Sequence, residues 1–94
     1  MNDKKDYQEF IAVLHNCDQK LLGDFLKDVL TPNELRELCQ RWRVIKMLAA
    51  GAPQRTIARA LKTSLCKITR GSRELQKKDS SFLKALKIKE QIYG

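Results

Sequence analysis

A chain of 94 residues with 43% apolar positions and a formal charge of +8 has room for one domain, residues 1–94, and is too apolar to be disordered. Its mean hydropathy of -0.47 and the lack of a long apolar run exclude a membrane-spanning helix, and MNDKKDYQEF at the start lacks the apolar stretch of a signal peptide, so a cytoplasmic protein is expected. The scattered Cys17, Cys39 and Cys66, with no CxxC pair and His15 as the one histidine, argue against a metal site and for reduced thiols; no base is placed beside a nucleophile and no acid pair converges, so the chain does not read as an enzyme.

Tyr7, Phe10, Ile11, Val13 and Leu14 recur at helical spacing, which predicts a helix over residues 7–16. Leu21, Leu22, Phe25, Leu26 and Val29 repeat the pattern after Asp18, a good N-cap. TPNE then marks a strong helix start: Thr31 caps, Pro32 suits the first helical position and Glu34 completes a capping box. The stripe Leu35, Leu38, Cys39, Trp42, Ile45 and Leu48 carries this third helix over 32–50, with Gly51 as its stop. A short helix from Gln54 holds Ile57, Ala58 and Leu61 on one face; KTS interrupts it, and Leu65 and Ile68 resume the pattern. Ser80 or Ser81 can cap a last helix through Phe82, Leu83, Leu86 and Ile88. No stretch alternates like a strand, so the fold is all-α.

The charge is one-sided. Residues 1–30 hold four lysines against six acids, whereas residues 52–94 hold eleven basic residues against three acids. A basic half of this kind is the electrostatic footprint of a polyanion partner. Two short helices about a three- or four-residue break, over roughly 54–74, form a helix-turn-helix pattern, and Ala58 is the small residue that such a crossing needs. The second helix would then offer Thr63, Ser64, Cys66, Lys67 and Thr69 toward base edges. Arg55, Arg59, Lys62, Arg70 and Arg73 around them suit phosphates. The final helix is basic but short and lacks tryptophan, which disfavours a membrane surface.

The stretch LTPNELRELCQRWRVIKMLAAG, followed by QRTIARAL and ITRGS, resembles the tryptophan repressor family over about residues 30–75. That resemblance implies an intertwined homodimer with six helices per chain. The first three helices and the last build a shared core, and helices four and five form two reading heads for a palindromic DNA operator. It also implies L-tryptophan as corepressor between core and head. Arg70 would bind the ligand carboxylate, Gly71 would leave room for the indole ring, and Arg41 would stack on its other face. Leu30 and Thr31 fall where the family places the rim of the partner subunit's pocket.

Three features depart from the family pattern. Glu74 stands where a small hydroxyl residue is common near the ligand ammonium, and it could pair with that ammonium or with Lys78 along the helix. KTS replaces a turn in which glycines are common, so either a non-glycine residue takes a positive φ or the turn differs. One residue is missing between Gly51 and Gln54. The competing readings are a ligand-independent helix-turn-helix regulator and a small RNA-associated protein; the second would need exposed aromatics for stacking, whereas Phe10, Phe25, Trp42 and Phe82 lie in apolar stripes.

Overall fold

The computed structural model describes residues 2–94, and among these every regular element is helical. The order is α1 (Asp3–Asn16), α2 (Gln19–Val29), α3 (Pro32–Ala49), α4 (Gln54–Leu61), α5 (Leu65–Gln76) and α6 (Ser81–Tyr93). Two compact units divide them, Met1–Arg36 and Glu37–Gly94, with the first turn of α3 in the first unit and its remainder in the second.

In the first unit, side-chain caps set where helices begin. Asn2 accepts from the Lys5 N–H at 3.1 Å and Asp18 from the Leu21 N–H at 2.8 Å. The first helix therefore starts at Asp3 rather than Tyr7; its opening turn is polar and leaves no apolar stripe to reveal it. The rings of Phe10 and Phe25 meet with centroids 5.6 Å apart and planes tilted by 54°, a favourable arrangement that links α1 to α2. Neither helix contains a buried residue.

The capping box at α3 forms as the sequence predicts. The Thr31 N–H donates to Glu34 Oε1 at 2.9 Å, and the Glu34 N–H donates to Thr31 Oγ1 at 3.1 Å. These contacts from Thr31, its backbone N–H first and its side chain second, hold the Glu34 carboxyl below the usual carboxylate range. A carboxylate favoured in the folded state stabilises it fully above the ordinary glutamate range, and that contribution is lost as pH falls through the folded-state value. Glu34→Gln should therefore flatten the acid limb of the pH–stability curve, lowering stability modestly at neutral pH and little at acid pH, as thermal unfolding across pH would show. An acid limb identical to that of the parent chain would rule this out.

The second unit has a true core. Ile57 of α4 and Ile68 of α5 are fully buried against Val44 of α3, with Met47, Leu48, Ala52, Ala58 and Leu61 around them. Gly51, at φ +91°, ends α3: its N–H reaches the Leu48 carbonyl at 3.0 Å, and the Ala52 N–H reaches that of Met47 at 3.1 Å. That is a Schellman cap, which favours glycine. The same cap closes α4 without one. Lys62 takes φ 52° and ψ 48°, and the Thr63 N–H bonds the Ala58 carbonyl at 3.0 Å. The KTS turn thus keeps the left-handed geometry at the cost of a Cβ clash that glycine avoids. Gln40 of α3 donates to the Leu61 carbonyl at 3.3 Å and so satisfies one of the orphan groups at the end of α4. Ser80 is the cap of α6, accepting from the Leu83 N–H at 3.3 Å. This last helix continues past Ile88 to Tyr93.

Candidate functional site

Within the second unit α3 and α5 wall a cleft of about 860 Å³, with Phe82 of α6 contributing to its lining. Small-molecule sites commonly measure about 300–1,000 Å³. Arg41 comes from α3, and Arg70, Gly71 and Glu74 come from α5; all four line this cleft. Helical spacing explains the grouping, since residues 70, 71 and 74 occupy one face of α5. Apolar surface between the charges comes from Leu38, Trp42, Val44 and Ile45.

Gly71 is buried in the middle of α5. A Cβ there would stand 3.2 Å from Leu48 Cδ1 and 3.3 Å from Val44 Cγ1. The glycine therefore lets α5 approach α3 closely, which offsets the helix propensity it forfeits, about 1 kcal/mol relative to alanine. This packing role was not visible in the sequence, where only room for a ligand ring was expected.

The charged groups around the cleft are unevenly committed. Glu37 Oε1 lies 3.6 Å from both Arg41 Nη2 and Lys67 Nζ, so one acid serves a cation on each wall. Glu37 escaped the reading by residue type, although its place four residues before Arg41 is a signal for such a pair. Glu74 meets the ammonium of Lys77, with each carboxylate oxygen at 2.9 Å; the expected helix partner Lys78 is replaced by its neighbour. Arg70 forms no ion pair among the described residues. Leu30 and Thr31 belong to the first unit, where Leu30 ends α2 and Thr31 starts α3.

On another face of α5, Leu65, Cys66, Thr69, Arg70 and Arg73 line a groove of about 240 Å³. Arg70 thus borders both concavities. Arg55, Lys62, Cys66 and Arg73 are exposed, and Thr63 is half-buried. Two of the expected hydroxyl donors are already engaged. Ser64 Oγ accepts from the Lys67 N–H at 3.4 Å as the N-cap of α5, and the half-buried Thr69 Oγ1 lies 3.0 Å from the Leu65 carbonyl and 3.1 Å from Gln54 Oε1. Lys67 is drawn toward Glu37. Across α4 and α5, Arg55, Arg59, Lys62, Arg70 and Arg73 carry no ion pair among the described residues. Such a run of uncompensated charge attracts polyanions.

Among the described residues no group of His, Cys, Asp and Glu could hold a metal ion, and no helix is long and apolar enough to cross a membrane.

Comparison with known proteins adds a family to this geometry. No solved structure matches the chain. A Trp operon repressor homolog of Vibrio vulnificus (strain YJ016) is 35% identical over 75 residues, which span 78% of this chain and 74% of that protein. A Trp operon repressor homolog of Actinobacillus succinogenes is 39% identical over 70 residues, 73% of this chain and 67% of the relative. The family these relatives represent is one of transcriptional repressors, not of enzymes. Residues 5–90 match the family described as Trp repressor protein, and the chain belongs to that family.

Proposed function

We propose that this protein is a tryptophan-dependent transcriptional repressor that binds a palindromic operator as a homodimer. The observation that carries the reading is the gathering of Arg41, Arg70, Gly71 and Glu74 on one partly apolar cleft beside the uncompensated cations of α4 and α5. The residues fit the ligand. Arg70 is a free guanidinium fork for a carboxylate, Arg41 offers a cationic plane for an indole face, and the walls are apolar. Leu30 and Thr31 would close the rim of the opposite subunit's pocket.

A second copy of the chain also answers the exposed apolar surface. Helices α1, α2 and α6 bury no residue, while Tyr7, Ile11, Val13, Leu21, Leu83, Ile88 and Ile92 stand exposed. That much unpartnered apolar surface is characteristic of an interface. All 94 residues then act as one domain within the dimer.

In this reading α4 and α5 form the helix-turn-helix. Arg55, Lys62 and Arg73 engage phosphates, which set register and affinity, while Lys67 faces the base edges. Thr63, Ser64, Cys66 and Thr69 stand nearest the bases, and with the Ser64 and Thr69 oxygens already engaged, their contribution is one of shape and shared contacts. Ligand lodged between α3 and α5 favours the DNA-competent setting of α5, and it can do so only by its greater affinity for that setting.

Fluorescence anisotropy of a labelled duplex from upstream of the protein's own gene tests the proposal at fixed salt. L-Tryptophan should tighten binding about tenfold or more, and affinity should fall steeply with salt. Equal, sequence-selective binding with and without the amino acid would replace this reading with a ligand-independent helix-turn-helix regulator.

A further inference from the structure

Resting on the DNA-binding role of α4 and α5 proposed above, we infer that Glu37 sets the specificity of that interface. It holds the Lys67 ammonium back from backbone phosphates and yields it to an acceptor on a base edge.

Of the cations on α4, α5 and the turn between them, Lys67 alone is paired among the described residues. The others meet any polyanion at full charge. Lys67 Nζ instead lies 3.6 Å from Glu37 Oε1, on the opposite wall of the cleft. The framework behind this contact is closely packed. Gly71 lies one turn beyond Lys67 on the same face of α5. It brings that helix against α3, where Leu48 and Val44 would stand 3.2 and 3.3 Å from a Cβ. Gln40, one turn after Glu37, donates to the Leu61 carbonyl at 3.3 Å. One face of α3 therefore grips both the end of α4 and the start of α5. Arg41 Nη2, 3.6 Å from the same Glu37 oxygen, keeps the carboxylate on the cleft side.

Pairing changes what Lys67 does on DNA. Facing a phosphate, its charge is already compensated by Glu37, so it releases no counterion and adds little to sequence-independent affinity. The side chains are 53% exposed for Lys67 and 45% for Glu37, and exposed pairs are weak. A better acceptor can therefore draw the ammonium away. Guanine offers one, with O6 and N7 side by side in the major groove. Lys67 is also the long donor left among the residues facing the bases. Ser64 Oγ caps the helix, and Thr69 Oγ1 is taken up by the Leu65 carbonyl and Gln54. Glu37 thus lowers affinity for DNA at large more than affinity for a site with guanine in register, and specificity is the ratio of the two.

A duplex selected from a random pool by the parent chain at saturating L-tryptophan provides the operator, and a mixed-sequence duplex provides the reference. Fluorescence anisotropy across a salt series reads both. Glu37→Gln should tighten the mixed-sequence duplex about fivefold and the operator about twofold or less. On mixed-sequence DNA the slope of log affinity against log salt should steepen by about one, the mark of one added phosphate contact. In a Lys67→Gln background the same change at Glu37 should alter neither quantity. Circular dichroism checks that the variant is folded, and Glu37→Ala takes its place if it is not. An unchanged slope, an equal gain on both duplexes, or a gain that persists without Lys67 would overturn the role of Glu37. Failure of the parent to select any duplex would instead overturn the DNA-binding reading on which it rests.

Discussion

Ile68→Ala is expected to lower stability by about 3 kcal/mol, a typical penalty for truncating a fully buried isoleucine. Ile68 has no exposed surface and joins α5 to Ile57 of α4 and Val44 of α3. Its loss removes apolar burial and leaves a cavity where three helices meet. For a chain of this size the midpoint of thermal unfolding should fall by about 12–20 °C, measured by circular dichroism at a fixed chain concentration because assembly shifts the midpoint. Leu65→Ala, three residues earlier on the same helix but 43% exposed, should change stability by only about 0.5 kcal/mol. A similar loss for the two variants would mean that the α3–α4–α5 contact is not the core of this unit.

Much of that core was legible in the sequence because it follows the 3.6-residue period. Ile57, Ala58 and Leu61 fall on one stripe and Ile68 on the next, whereas Leu65 on that second stripe is exposed; local caps mark the boundaries, and Asp18, Thr31 with Glu34, Gly51 and Ser80 each act as their residue type suggests. Boundaries without an apolar signal were harder to see. The polar first turn of α1 and the weakly patterned end of α6 both extend beyond the predicted helix. At the KTS turn the sequence left two outcomes open, a positive φ at a non-glycine residue or a different turn, and Lys62 takes the first because the geometry of the α4 cap imposes it. The cleft was legible only as a set of residues borrowed from a resemblance. Single-residue reading could not show that Glu37 reaches both Arg41 and Lys67, because the Lys67 contact depends on how α5 lies on α3. Nor could it separate the packing role of Gly71 from a ligand role, since both demand an absent side chain.

The same ambiguity surrounds Arg70, which borders both the cleft and the outer groove of α5, and substitution there should have the largest functional effect. Arg70→Ala is expected to weaken L-tryptophan binding about a hundredfold, since in the proposed pocket Arg70 would supply a two-pronged, charge-assisted contact to the carboxylate. Arg70→Lys keeps the charge but not the planar fork, and should fall between the two, at about a tenfold loss. Neither change should cost much stability, because the side chain is exposed and has no ion-pair partner among the described residues. Calorimetry then separates two roles that DNA binding alone would confound. If Arg70 serves the ligand, amino-acid affinity collapses while the salt dependence of DNA binding without ligand keeps its slope. If Arg70 instead meets a phosphate, L-tryptophan affinity stays unchanged and the salt slope falls by about one. The first outcome would make α5 the element that couples the two surfaces, with ligand on one face of a single helix and nucleic acid on the other. The second would detach the cleft from Arg70 and leave Arg41 and Lys67 as the cations able to hold a carboxylate there.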